Sequence, residues 1–257
     1  MIIKKVLKRF RDVREYIEGY RVWYGFRYLF KKLFLLPSFI KTVSGSKFYV
    51  GREQLDETII KDLFRSLRNT YFPTDLVLKE GDVVLDVGAH KGFYSVELCK
   101  RFPGSVVYSF EPFKKSYKRL LFHKKINKAA FTPVNAALSD NTGEAFIVDS
   151  DEGSWGNYVS DSVQDNTTVI RTISVKDFLS ENKISSIALL KLNAEGAEFA
   201  VLPEMMDNNI FPSCIILFAH PEKGNVKGLV EMVIGHGYEI KSSFDSERRP
   251  WYVLQRQ

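Results

Sequence analysis

GDVVLDVGAHKGFYSVEL, residues 81–98, is the stretch on which the fold turns. An apolar run, VVLDV (83–87), reads as a strand, and residues 92–101 read as a helix. Between them Gly88 and Gly92 bracket Ala89, His90 and Lys91. Glycine lets the chain turn sharply and lets backbone N–H groups approach a ligand closely. The helix that follows points its positive end at the same place, which suits the carboxylate of an amino-acid-like ligand as well as a phosphate.

Asp86, two residues before Gly88, narrows the choice. A carboxylate at the mouth of this loop repels a pyrophosphate but accepts hydrogen bonds from an ammonium; the alternative is that it bonds only to loop amides. The full G-x-G-x-x-G pattern of a dinucleotide site is absent. The next strand, SVVYSFE (105–111), ends on Glu111, 23 residues beyond Gly88. That is close to the roughly 20-residue offset of an acid that grips ribose hydroxyls, and Pro112 fixes the turn behind it. Together the two acids favour an adenosyl ligand with a free amino acid end, such as S-adenosylmethionine.

Outward from this stretch the same order repeats. Helix 114–126 follows the second strand, FTPVNAAL (131–138) reads as a third strand whose Pro133 favours a sheet edge, and EAFIV (144–148) as a small strand. A polar loop spans 149–168, with Trp155 and Tyr158 placed to stack on a sugar ring or to anchor the loop. Helix 174–182, strands 187–193 and 214–220, and an antiparallel pair at 238–243 and 251–255 complete the pattern. Upstream, 47–53 reads as a strand and turn, and 55–67 as a helix. Strands alternating with helices predict an α/β fold, a Rossmann-like and mostly parallel seven-stranded sheet covered on both faces, with ligands beyond the strands' carboxyl ends.

The 257 residues fit one large domain plus a small extension. The net charge of +6 is uneven: residues 1–50 hold 12 Lys/Arg against 3 Asp/Glu, a net of +9, and the rest is −3. Ile3, Val6, Leu7, Phe10, Val13 and Ile17 recur at helical steps among basic side chains. The expectation is a basic amphipathic helical extension over 1–45 ahead of a domain over 46–257, with residues 1–40 either packing on that domain or lying on an anionic membrane surface. No base-reading module accompanies the charge, so nucleic acid is not an expected partner. No apolar run nears the roughly 20 residues of a membrane span, and the start lacks a signal peptide's apolar core, so the expected location is cytoplasmic, at most peripheral on the membrane's inner face. Cys99 and Cys214 suggest neither a disulfide framework nor a zinc site, and no cluster has metal-ligand spacing, so no metal is expected.

DVGAHKGFYS, FEPF, VNAALSDNTGE and LLKLNAEGAEFAVL, in that order, resemble the FkbM family of S-adenosylmethionine-dependent methyltransferases. The resemblance runs from about residue 47 to the end. It implies the class I methyltransferase fold and O-methylation, often of sugars or polyketide-like products, with a glycan or other small-molecule hydroxyl as acceptor. By position it implies that Asp86, Gly88, Ala89, His90 and Gly92 contact the methionine part and that Glu111, with Pro112, holds the ribose. Asn135, Ala136 and Ala137 would border the adenine, and Lys191, Asn193, Glu195 and Gly196 would line the cleft between cofactor and acceptor. The family's K-I-D-x-E-G-x-E is here Lys191-Leu192-Asn193-Ala194-Glu195-Gly196-Ala197-Glu198, with an amide in the aspartate's place. An amide orients but has no useful basicity. The candidate catalytic set is therefore Lys191, Asn193, Glu195 and His220, with Glu195 (its pKa raised by burial) or His220 as base. His90 shapes the cofactor site, while His123 and His236 are expected at the surface. Two alternatives stand beside this reading: a cofactor-binding protein that Asn193 has left without chemistry, and an NAD-dependent oxidoreductase.

Overall fold

A computed structural model describes residues 38–42, 44–50, 56, 60, 63, 71–148, 158–160 and 167–257. The expected extension lies outside them up to residue 37. Its last part, Ser38–Lys41, is not helical but a strand (β1), paired antiparallel with β2, Lys47–Val50. Phe39 and Ile40 alternate between solvent and core there, the period of a strand. Asp56, Ile60 and Leu63 are helical, as expected of 55–67, with Ile60 and Leu63 buried.

The nucleotide-fold pattern then begins: β3 (Val83–Val87), α1 (Phe93–Arg101), β4 (Val106–Phe110), α2 (Lys114–Asn127) and β5 (Thr132–Val134). After an insertion come α3 (Val175–Glu181), β10 (Leu189–Leu192), α4 (Glu198–Asp207), β11 (Cys214–Phe218), α5 (Val226–Gly235), β12 (Tyr238–Phe244) and β13 (Trp251–Arg256). The expected seven-stranded sheet has the order β12-β13-β11-β10-β3-β4-β5. Neighbours from β11 to β5 run parallel, and β13 is antiparallel to both β11 and β12. Chain order reverses between β3 and β10, which opens a crevice at their carboxyl ends.

Each central strand alternates its side chains between two cores. Leu85, Val87, Leu190, Leu192, Ile215 and Leu217 join α3, α4 and α5. Val84, Leu189 and Ile216 join α1, the β1–β2 hairpin, Ile60 and Leu63. Asp86 and Lys191 share the register of this second face and sit directly opposite each other across β3 and β10.

Three expectations are corrected here. The third strand is not continuous over 131–138: the chain leaves the sheet at Val134, and Ala137–Ser139 (β6) enters a second sheet. That sheet, ordered β6-β9-β7-β8, also contains β7 (Gly143–Val148), β8 (Tyr158–Ser160) and β9 (Thr167–Ser174). Strands β8 and β9 fall partly or wholly where a polar loop was expected. In β9, buried Ile170 and Thr172 alternate with exposed Val169 and Arg171, a half-buried pattern. Trp155 lies outside the described residues, so its expected stacking role has no structural description. His123, expected at the surface, is fully buried. Its Nδ1 is 2.7 Å from the Lys91 carbonyl oxygen, and its Nε2 accepts the Tyr49 N–H at 2.9 Å, which fixes the Nδ1-protonated tautomer. His236 is exposed. Cys99 and Cys214 are free thiols, driven up to about 11 and about 12 mainly by burial. Among the described residues no helix is long and apolar enough to cross a membrane, and no His, Cys, Asp and Glu side chains cluster as a metal site would need.

Candidate active site

An open cavity lies at the carboxyl ends of β3, β4 and β10, at the point where strand order reverses. Gly88 forms its floor at φ 72°, and a Cβ there would come within 1.9 Å of the Asn193 carbonyl oxygen. Only glycine permits this approach of two backbones. Gly92, at φ 80°, caps the start of α1 and packs on Leu120; it is not on the cavity wall.

Asp86 is beneath the loop rather than at its mouth. It is fully buried, accepts the Ser95 hydroxyl at 2.5 Å, and meets Lys191 Nζ at 2.9 Å. The same Nζ donates to the Gly88 and Val87 carbonyls at 2.9 and 3.1 Å. Lys191 thus braces the glycine loop from below through two hydrogen bonds and an ion pair, while its side chain still lines the cavity.

Glu111 faces the cavity. One carboxylate oxygen accepts the His90 N–H at 2.8 Å and the other the Phe113 N–H at 2.9 Å. Each oxygen keeps a lone pair, the arrangement needed to receive two vicinal hydroxyls. Burial pushes this carboxyl up to about 7, against the two N–H bonds and the Lys191 charge. Asn135 is off the cavity wall; its amide donates to the Glu111 and Pro112 carbonyls at 2.8 and 3.1 Å and holds that turn. Phe110, Pro112, Phe113, Ala136, Ala137 and Leu138 make an apolar wall beyond the carboxylate. Ala89 and His90 complete the loop side. Burial, with the charges of Lys91 and Lys191, lowers His90 to about 3, so its ring is neutral.

At the other end stand Asn193, Ala194, Glu195 and Ala197. Glu195 adopts φ 49° and Gly196 φ 111°, a tight turn that directs the Glu195 carboxylate at the cavity. That carboxylate lies 3.4 Å from His220 Nε2 and 3.6 Å from Arg249 Nη2. Burial acts to raise its pKa, but the His220 hydrogen bond and the charges of His220, Arg249 and Lys223 outweigh it, and the net shift is downward. Glu195 is thus an ionised acceptor, not the raised-pKa acid that was expected. His220 is buried and off the cavity wall. Burial alone would lower it, but Glu195 on one side and Glu198 on the other raise it to about 9. An imidazolium has no lone pair to take a proton, so the role of base proposed for His220 is corrected to that of a buried cation.

Three contributors were missed in the sequence. Glu198, fully buried, accepts both the His220 N–H and its Nδ1–H at 2.8 Å, and its other oxygen accepts the Gly196 N–H at 2.9 Å. Its signal was the second acid of the E-G-x-E run, one turn from Glu195. Tyr71 and Tyr94 line the cavity with ring centroids 5.7 Å apart, and Tyr71 packs 4.6 Å from Phe218. Their aromatic character carried no positional signal.

A carboxylate set for two hydroxyls, an apolar slot beyond it and a glycine floor fit a nucleoside without phosphate better than one with a pyrophosphate. Residues 86–245 match the family model described as the methyltransferase FkbM domain. The chain belongs to the FkbM methyltransferase family. It is an S-adenosylmethionine-dependent methyltransferase, which replaces the NAD-dependent alternative. A curated relative, the 31-O-demethyl-FK506 methyltransferase FkbM of Streptomyces tacrolimicus, is 25% identical over 207 residues, 68% of this chain and 79% of that protein. Among solved structures, a precorrin-6y C5,15-methyltransferase from Geobacter metallireducens GS-15 is 15% identical, covering 72% of this chain and 83% of its own, with a TM-score of 0.42. TrmK of M. capricolum, solved with S-adenosyl-homocysteine, is 12% identical, covering 76% and 69%, with a TM-score of 0.46.

Proposed function

We propose that this FkbM-family enzyme methylates a hydroxyl oxygen, on a sugar, glycan or glycolipid intermediate. The observation that carries the proposal is the Glu195 carboxylate, held ionised at the cavity wall by His220 and Arg249. It is a fixed acceptor for the O–H of an alcohol. The name of the FK506-methylating relative supports an oxygen acceptor. We further propose that the basic segment 1–40 brings the enzyme from the cytoplasm to an anionic inner membrane face, where lipid-linked glycans are found.

In this reading Glu111 receives the ribose hydroxyls, Ala136 and Ala137 border the adenine, and Asn135 keeps the Glu111–Pro112 turn in place. The Gly88–Gly92 loop, supported from below by Asp86 and Lys191, cradles the methionine end. The cofactor supplies a methyl group on a sulfonium, and in-line alignment of the attacking oxygen provides much of the rate. The O–H becomes strongly acidic as the new C–O bond forms, so a carboxylate of low pKa suffices to accept the proton. Glu195 does so, and Asn193 beside it orients the acceptor through its amide.

Transfer of a labelled methyl group to a panel of glycan and alcohol acceptors tests the reading. Glu195→Gln should lower kcat/KM about a hundredfold while S-adenosylhomocysteine affinity stays within about twofold. Equal losses in both would reduce Glu195 to a cofactor-site residue. The second reading, a protein that binds the cofactor without chemistry, rests on Asn193. An inactive wild type that gains turnover in Asn193→Asp would establish it; an active wild type would end it.

A further inference from the structure

The basic helix α2 presents a surface that methyl transfer does not use. Residues 114–128 contain seven Lys/Arg and no Asp/Glu. Lys114, Lys118, Leu121 and Lys125 are exposed and follow one another at steps of four, three and four residues, so they form a single stripe along the helix. Among the described residues none of these three lysines pairs with a carboxylate. Lys114 and Lys118, at i and i+4, repel each other without local compensation.

Apolar side chains are built into the same surface. Leu121 is 40% exposed and Phe39, on the adjoining hairpin strand β1, is 49% exposed. Phe39 is held in place: its ring lies 5.5 Å from Tyr49 and 6.2 Å from Phe122, and Arg119 covers Tyr49 at 4.2 Å. The hairpin is itself pinned to the end of α2, since the Asn127 side chain accepts the Lys47 N–H at 2.7 Å and donates to the Lys47 carbonyl at 2.8 Å. The outcome is a face on which large apolar groups stand among ammonium groups that no carboxylate of the described residues pairs.

We propose that this face, Lys114–Lys118–Leu121–Lys125 with Phe39, docks on the surface of an anionic lipid bilayer. Lysines meet headgroup phosphates while Leu121 and Phe39 enter the boundary between headgroups and acyl chains. Unpaired positive charge supplies the complementarity, and exposed leucine and phenylalanine favour a bilayer over nucleic acid, whose backbone offers them nothing. The stripe begins at Lys114, next to Phe113 of the cavity wall, so docking sets the cavity rim beside the lipid. The inference concerns the folded domain, is separate from the role given to residues 1–40, and holds whichever hydroxyl is methylated.

Flotation of the full chain with vesicles of phosphatidylcholine alone, or with phosphatidylglycerol added, tests it. The wild type should float with the anionic vesicles only and be released by raising salt. Lys118→Glu/Lys125→Glu should weaken partitioning at least about tenfold, and Phe39→Ser/Leu121→Ser should weaken it with less salt dependence. Both variants should keep the wild-type S-adenosylhomocysteine affinity, since none of these residues touches the cavity, while the serine variant, which loses the packing of Phe39 on Tyr49 and Phe122, should melt somewhat lower. Should the charge-reversed chain fail to fold, Lys118→Gln/Lys125→Gln makes the same comparison. A wild type that stays unbound, that floats equally with both vesicle types, or whose variants float as it does would overturn the proposal. So would retention on a single-stranded RNA probe without flotation, which would assign the face to nucleic acid.

Discussion

The Glu111 carboxyl, pushed up to about 7 by burial, is the residue whose charge the cofactor should change. Ribose hydroxyls donate to a carboxylate and so favour its ionised form. Below pH 7 binding must therefore expel a proton, and affinity should rise with pH up to about 7 and level off above it. We expect S-adenosylhomocysteine to bind about tenfold more weakly at pH 6 than at pH 8. Calorimetry at pH 6.5 in buffers of different ionisation enthalpy should register proton release, and pH-independent binding would separate Glu111 from the ribose. That Glu111 and Gly88 stood out in the sequence follows from local chemistry: a strand-end acid and a glycine loop announce themselves within a few residues. The state of His220 did not, because its partner Glu198 is 22 residues away in the chain and only the fold brings them within 2.8 Å. The bracing role of Lys191 was hidden for a similar reason, since the carbonyls it meets belong to Val87, the last residue of β3, and to Gly88 just beyond it.

Among the elements, α2 does more than cover one face of the sheet. Through His123 it ties the glycine loop, at the Lys91 carbonyl, to β2, at the Tyr49 amide. The ring also packs edge-on against Phe48 at 5.6 Å and beside Phe93 at 5.2 Å. His123→Ala removes both hydrogen bonds and leaves a cavity in the core. Roughly 3 kcal/mol of stability should be lost, measured as a lower urea midpoint with unchanged slope. Because the loop is tethered through Lys91, cofactor affinity should fall with it. A loss below about 0.5 kcal/mol would mean that the helix holds without this link. The sequence placed His123 among lysines and hid this role, because α2 is basic all round its exposed surface and its buried stripe is narrow. The main sheet was legible, since strand, glycine turn and helix recur with clear periods. The second sheet was not. β6 continues an apolar run from β5 with only Asn135 and Ala136 between, and the two were read as one strand. β9 pairs with β6 and β7, contacts that local pattern does not reveal.

For the molecule as a whole, four buried groups set how stability varies with pH. Burial lowers His90 from 6.5 to about 3 and His123 from 6.5 to about 4. Unfolded, both would take up protons near 6.5, so their contribution is complete above that pH and is lost as pH falls towards 4. Glu111 has the opposite sign: raised from 4.5 to about 7, it favours the folded state below 4.5 and loses that contribution as pH rises through 7. His220, raised from 6.5 to about 9 by Glu195 and Glu198 against the pull of burial, does the same between 6.5 and 9. Between 4.5 and 6.5 the two histidines outweigh the single carboxyl, so stability climbs; above 6.5 only the two falling contributions remain. The ligand-free chain should therefore melt highest near pH 6.5 and lose stability on both sides. Thermal scans of the full chain from pH 5 to 9 measure this, and a melting temperature still rising at pH 9 would contradict it. His220→Asn should flatten the alkaline limb between pH 7.5 and 9 whatever it does to the maximum. The cofactor acts in the opposite direction, because it needs Glu111 ionised. The rise in melting temperature produced by a fixed excess of S-adenosylhomocysteine should consequently grow from pH 6 to pH 8, where the empty protein is already declining. Ligand stabilisation that was constant across that interval would leave the dome standing but break its link to the cofactor site.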